Sequence, residues 1–321
     1  MEQQVVRAFA RTLWLVIALV LPGPGGVAAQ SAPPGIPSIS VDVNLVVLHP
    51  SVRDRQGGFV SGLRKQDFQV FEDGRRQAIR LFQHEDVPVS VGLLVDNSAS
   101  MGPKRPDVTA AALAFARSSN PQDELFVVNF DQKVSFGLPD TELFSARAPE
   151  LEKALNGVPA WGQTALYDAI EAGLEHMTKA SRERKVLIVV SDGGDNSSRH
   201  TLKQVVDNAA RSNVMIYAIG LLDEHDADQN PGFLKKIARV TGGEAFFPDP
   251  TSEAVNVCKQ IAQDIRRQYT IGYAPSNEKL DSTYRRIRVV VHAPGRGRLE
   301  VRSRAGYIAA PPAARPAPGI Q

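Results

Sequence analysis

Apolar positions in the middle of this chain recur with two alternating periods. Short continuous apolar runs at 91–95, 125–130, 185–190 and 214–220 predict buried strands. Between them lie segments whose apolar residues recur at helical spacing: 108–117, 150–155, 166–177, 202–211, 233–240 and 251–267. Thr251 is the expected N-cap of the last of these, with Glu253 in its first turn. An edge strand is expected at 133–138 and a short strand at 244–247. Strands alternating with helices predict an α/β fold, a doubly wound and mostly parallel sheet covered on both faces. Ligands of such sheets bind beyond the carboxyl ends of the strands.

Both flanks change to period two. Residues 41–48 alternate, Gln56-Gly57-Gly58 turns the chain, and Phe68 and Val70 run into a hairpin through Asp73-Gly74 to Ile79 and Leu81. On the other side, 269–273 alternates, Ile287, Val289 and Val291 share a face, Gly295-Arg296-Gly297 turns the chain, and Leu299 and Val301 are expected to return. Each flank is too short for a β domain alone. The expectation is one small β-sandwich-like domain, 38–88 plus 269–308, into which the α/β domain, 89–268, is inserted. No Gly/Ser linker separates the last helix from Tyr269, so a shift of that helix would pull on the second flank.

The ends read differently. Arg7 and Arg11 precede the apolar run 13–21, then a Pro/Gly stretch and the small-residue site Val27-Ala28-Ala29. That predicts a signal peptide over 1–29, followed by a flexible lead-in, 30–37. The run is short for a bilayer span, so no transmembrane helix is expected after cleavage. The chain is then exported, periplasmic or extracellular. A disordered Pro/Ala-rich tail is expected at 309–321. Cys258, the one cysteine, permits no internal disulfide and falls on the apolar face of the last helix with Val255, Ile261, Ala262 and Ile265. With 37 basic and 35 acidic residues in 321, and no block of like charge, nucleic acid is not an expected partner.

Three stretches carry candidate chemistry. The first strand ends in Asp96, Ser98 and Ser100, oxygen side chains at every second position. Alone, that pattern equally fits a polar turn that caps the next helix. Trp161-Gly162-Gln163-Thr164 opens the third helix, and Ser191-Asp192-Gly193-Gly194 follows a central strand. Both carboxylates are expected on loops beyond the core. Hard oxygens suit Mg²⁺, Mn²⁺ or Ca²⁺. Asp195 and Asn196 read as turn residues, and the acidic stretch 223–228 as a solvated loop, since it lacks the glycine and terminal Glu of an EF-hand. Trp161 reads either as an interface residue or as an aromatic packed on its own domain.

Asp96, Ser98, Ser100, Thr164 and Asp192 together resemble the metal-ion-dependent adhesion site of von Willebrand factor A domains and integrin I domains. The resemblance implies that Ser98 and Ser100 bind the metal directly. Thr164 and the two aspartates would switch between direct and water-mediated contact. It also implies a protein partner presenting Asp or Glu to the metal. The whole chain resembles secreted bacterial VWFA-related proteins, through the R-D-x-x-G-x-x-V-x-x-L lead-in at 53–63 and Gly306-Tyr307. An enzyme is not expected, because H-E-x-x-H, G-x-S-x-G and G-x-x-x-x-G-K-[ST] are all absent. The enzymatic rival is a Mg²⁺-dependent phosphoryl-transfer hydrolase, with Lys104 and Arg105 as its phosphate clamp. A structural component of an envelope assembly is a further alternative.

Overall fold

The structure is a computed structural model that describes residues 45–156, 159–223 and 227–309. The expected signal peptide, the lead-in, the start of the first flank up to 44, the middle of the acidic loop (224–226) and the tail from 310 lie outside the described residues.

Six strands form the central sheet, in the order β11-β10-β9-β6-β7-β8. They are β6 (Val89–Asp96), β7 (Glu124–Phe130), β8 (Val134–Phe136), β9 (Arg184–Ser191), β10 (Val214–Gly220) and β11 (Ala245–Phe246). All pairings are parallel except β7 with β8. The helices are α1 (Arg105–Ser118), α2 (Ala148–Asn156), α3 (Leu166–His176), α4 (Leu202–Arg211), α5 (Pro231–Thr241) and α6 (Ala254–Arg266). The strand–helix alternation expected from periodicity is therefore borne out. Every residue of β6 is buried, which is why it reads as a continuous apolar run. Gly92 sits at its centre because a Cβ there would lie 2.4 Å from the Phe126 ring and 2.6 Å from Leu187. After β6 the chain moves to β7 on one side and later to β9 on the other. The order thus switches at β6 and β9, the place in such sheets where ligands bind beyond the strand ends.

One helix start differs from expectation. Thr251 lies inside a 3-10 turn, Thr251–Glu253, and Glu253 is the N-cap residue of α6. The Thr251 hydroxyl instead donates to Asp107 at the start of α1, 2.5 Å away. Cys258 is buried as its helical face predicts, and burial pushes its thiol up to about 12.

The flanks supply β1 (Val46–Leu48), β2 (Ser51–Arg53), β3 (Phe68–Glu72), β4 (Arg75–Gln77) and β5 (Ile79–Gln83), then β12 (Thr270–Tyr273), β13 (Tyr284–Val291), β14 (Glu300–Arg302) and β15 (Gly306–Ile308). They pair across the flanks in three small sheets, β1-β12-β5, β15-β13-β3-β4 and β14-β2. Asp73 and Gly74 both adopt positive φ and form the expected tight turn. The hairpin they close is β3–β4; the chain then leaves for β5 in a different sheet, so Ile79 and Leu81 are not the return strand. Leu48, Val52, Phe68, Val70, Tyr269, Ile271, Tyr273 and Ile287 form a second apolar core between these sheets.

Buried charges join the parts. Arg285, on the inward face of β13, pairs with buried Glu72 at 3.4 Å, and the hydroxyls of Tyr273 and Tyr307 donate to Glu72 at 2.7 and 3.0 Å. Arg302 of β14 pairs with Glu244 and with fully buried Asp264 of α6, and Arg53 reaches Glu244 at 3.1 Å. Gln268 and Tyr269, which link α6 to β12, are both fully buried. Gln268 donates to the Tyr217 hydroxyl of β10, and the Tyr269 hydroxyl donates to the Val60 carbonyl. The link from helix to strand is thus held in both cores, and the described residues all fall in one compact unit.

Candidate functional site

The site forms at the carboxyl ends of β6 and β9. Asp96 closes β6, and its Oδ1 accepts from the Ser98 N–H at 2.8 Å, which turns the chain out of the strand. Its Oδ2 accepts from the Ser191 hydroxyl at the end of β9, 2.6 Å away. A 3-10 turn, Ala99–Lys104, then brings Ser100 over the neighbouring strand end. Ser100 Oγ donates to Asp192 Oδ2 at 2.7 Å and lies 3.2 Å from Ser98 Oγ.

The loop after β9 needs its glycines. Asp192 Oδ1 accepts from the Gly194 N–H at 3.0 Å, and the Ser191 hydroxyl accepts from the Gly193 N–H at 3.0 Å. Gly193 has φ +88°, and a Cβ there would lie 2.5 Å from the Asn230 carbonyl oxygen.

Backbone and amide contacts clip the remaining loop into place. Trp161 N–H donates to the Asn97 carbonyl and Ala99 N–H to the Gly162 carbonyl. On the other side the Asn196 side chain accepts from the Thr164 N–H at 2.9 Å, while Asn196 and Ser197 both donate to the Thr164 carbonyl. Asp195 Oδ2 accepts from the Tyr167 N–H and Ser198 Oγ from the Asp168 N–H. Helix α3 is therefore capped by a different loop, since its own N-cap position is Ala165. Asp195 and Asn196 are structural, as turn chemistry suggests, but they act across loops and not only within their own turn.

The structure thus brings Asp96, Ser98, Ser100 and Asp192 together through direct contacts, while Asn196 holds the Thr164 backbone. The expectation that both carboxylates stand on loops outside the core is corrected. Asp96 is 0% and Asp192 2% exposed, because strand pairing and the flanking loops close over them. Burial pushes the Asp96 carboxyl up to about 6, and the Asp192 charge adds to the rise. Hydrogen bonds from Ser191 and Ser98 oppose it.

Ser191, which supports both the Asp96 carboxylate and the Gly193 turn, was not singled out by sequence. Its signal was a hydroxyl ending an otherwise apolar strand. Asn97 was likewise passed over. It is fully buried and ties the first loop to β7 by donating to Asn129 Oδ1 at 3.2 Å, with its own N–H on the Phe130 carbonyl.

Among the described residues no three His, Cys, Asp or Glu side chains gather as a metal cluster. Any cation at this site would rely on hydroxyls to complete two carboxylates. The proposed phosphate clamp does not form. Lys104 is buried with its ammonium on the Leu221 carbonyl at 2.7 Å, and Arg105 donates to the Leu155 carbonyl at 3.0 Å. Trp161 is 66% exposed, so it is not packed away on its own domain. Among the described residues no helix is long and apolar enough to cross a membrane.

Residues 90–263, more than half of the chain, match the family profile of the von Willebrand factor type A domain. An uncharacterized protein of Synechocystis sp. is 25% identical over 183 residues, covering 55% of this chain and 41% of that protein. The chain therefore spans less than half the length of this curated relative. Among solved structures, a von Willebrand factor type A protein from Catenulispora acidiphila superposes with a TM-score of 0.51 at 15% identity, over 76% of this chain and 72% of that one. Proximal thread matrix protein 1 of the mussel byssus, solved with zinc in its MIDAS motif, gives a TM-score of 0.46 at 17% identity, over 56% of this chain and 48% of that one.

Proposed function

The chain belongs to the von Willebrand factor type A domain family, and we propose that it captures an acidic side chain of a partner protein through a bound divalent cation. Homologues of this domain are adhesion or protein-interaction modules and are generally not enzymes. The residues that would hold the cation are Asp96, Ser98, Ser100, Thr164 and Asp192. The observation that carries this reading is the convergence of separate loops on one point, with Ser100 Oγ 2.7 Å from Asp192 Oδ2 and 3.2 Å from Ser98 Oγ.

The donor chemistry fits. Two carboxylates and three hydroxyls form an all-oxygen set, suited to Mg²⁺, Mn²⁺ or Ca²⁺. When bound, the cation supplies an electrophilic contact for a carboxylate. The remaining work falls to the chain. Asp96 is buried beside the Asp192 charge, a placement that disfavours the charged form of Asp96 unless a positive charge joins them. Ser191 and the Ser98 N–H fix the Asp96 carboxylate in one orientation. With only two formal negative charges around it, the site favours an anionic partner group. Trp161 on the rim offers that partner an apolar contact. In the same reading the chain works outside the cytoplasm, after removal of residues 1–29.

Calorimetric titration with Mg²⁺ and Mn²⁺ tests the site. One binding event is expected for the wild type, a loss of at least tenfold for Thr164→Ala, and none for Asp192→Ala. Unchanged affinity in Asp192→Ala would sink the assignment. The partner class is tested by retention of proteins from an envelope extract in Mg²⁺ against EDTA. Amidating the carboxylates of the extract should abolish the Mg²⁺-dependent fraction; survival of that fraction would show that the captured group is not acidic.

A further inference from the structure

A second surface, on the sheet built from both flanks, has the properties of a recognition site. Strand β4 is the outermost strand of the sheet β15-β13-β3-β4. Beside it opens a cavity of about 670 Å³. Phe68, Ala78 and Ile79 give the cavity apolar lining, and Arg64, Lys65 and Arg76 bring three positive charges to it. That volume lies within the range of discrete ligand sites, roughly 300–1,000 Å³.

The charges are available. Arg64, Lys65 and Arg76 are exposed, and none has an ion-pair partner among the described residues. The adjacent carboxylate, Asp67, accepts from the Arg64 backbone N–H at 2.7 Å and so caps its own turn. Next along the sheet, Asp73 is used in the same way, accepting from the Arg286 N–H. Register places Arg76, Phe71 and Arg288 in one row across β4, β3 and β13, with the Arg288 guanidinium 4.6 Å from the Phe71 ring centre. The positive field of the cavity therefore continues onto the sheet face.

Backbone geometry adds a third property. In a two-residue hairpin the residues flanking the turn, Glu72 and Arg75, share the first pair of ladder bonds. The next residue, Arg76, then turns its N–H and C=O away from β3, toward the free edge. An apolar-lined cavity, unpaired cations and an open strand edge at one place match the needs of an extended peptide. A flat lipid surface would not fill a cavity, and a simple polyanion would use neither the apolar lining nor the edge.

We infer that β4 and its cavity bind an extended acidic peptide of a partner protein, with carboxylates on Arg64, Lys65 and Arg76 and an apolar side chain against Ile79. Residues 1–44 and 310–321 do not match this peptide in charge. Residues 1–44 contain only two acidic residues, Glu2 and Asp42, and residues 310–321 contain none. The inference does not depend on the cation site.

The test uses the full chain in EDTA and a fluorescein-labelled peptide alternating Glu and Val, read by anisotropy. The expected results are saturable binding, at least tenfold weaker in the Arg64→Glu/Arg76→Glu variant and intermediate in Arg76→Gln. A Lys–Val peptide should not bind, and N-methylation of alternate amides of the Glu–Val peptide should cost at least tenfold. Circular dichroism checks that the variants fold, which their exposed positions predict. Wild-type binding by the double variant, or by the N-methylated peptide, overturns the inference. So does a polyphosphate of equal charge that binds as tightly as the peptide, since the surface would then read charge alone.

Discussion

Histidine 49 shows how one residue can tie stability to pH. It lies between β1 and β2, with Nδ1 3.3 Å from the Thr270 hydroxyl of β12. Burial pushes its imidazole down from 6.5 to about 3, and the charges of Arg184 and Arg304 push the same way. In the unfolded chain the ring takes up a proton near 6.5, so between these values the unfolded state holds more protons than the folded one. The contribution is fully present above about pH 6.5 and is lost as pH falls toward 3, by at most about 1.4 kcal/mol per unit. His49→Gln should therefore flatten the acid limb. Urea midpoints at pH 7.5, 6 and 5 for both proteins read the difference, and parallel slopes would place the acid sensitivity elsewhere. Sequence offered no warning of this, because an imidazole next to a proline in a flank gives no hint that two arginines distant in the chain will face it.

At the level of elements, α3 depends on a loop that follows β9. Its first-turn N–H groups at Tyr167 and Asp168 are satisfied by Asp195 and Ser198, and Asp168 in turn accepts from the N–H groups of Arg199 and His200. Asp195→Ala should cost about 1 kcal/mol, the usual scale for a lost helix cap. Amide exchange should speed up at Tyr167 and Asp168 while the last turn of α3 stays protected. Unchanged protection at Tyr167 would mean that water replaces the cap at no cost. The same loop presents Asn196 to Thr164, so loosening it should also weaken the proposed cation site. Helices α4 and α5 behave more locally, with Thr201 and Asn230 capping their own helices, and the periodic pattern places the first of them to the residue.

Across the whole molecule, buried contacts tie the central sheet to the flanks. The Asp264 carboxylate of α6 is fully buried and meets Arg302 from β14 and the Tyr217 hydroxyl from β10. The guanidinium of Arg184, at the start of β9, donates to the Ile265 carbonyl and to Thr270 of β12. Ending the chain at Gln268 would remove Arg302 and leave Asp264 buried without that partner, a type of loss that costs about 3–5 kcal/mol. It would also strip β1, β3 and β5 of their cross-flank partners and expose their edges. The truncated protein should aggregate, with a lowered melting temperature and loss of the monomer peak in size-exclusion chromatography. A monomeric truncation that melts as the full chain does would show that the central sheet stands without the flanks.

What the sequence determined by itself is everything that repeats locally. Continuous apolar runs gave the buried parallel strands, helical spacing gave the six helices, and oxygen side chains after two strands marked the sheet edge of the candidate site. These features are legible because burial of a face imposes a period on neighbouring residues. Tertiary structure alone decided which distant residues meet. Strands of three residues, such as β2 and β14, carry too little periodicity to name their partners, and β3 finds β13 some two hundred residues away. Arg285, Arg184 and Lys104 lie in the interior where carbonyls or carboxylates from elsewhere accept from their terminal nitrogens, and no local pattern records an acceptor that arrives from another part of the chain. Ser191, Asn97 and Asp195 acquire their roles in the same way, from contacts that exist only once the loops have closed over the strand ends.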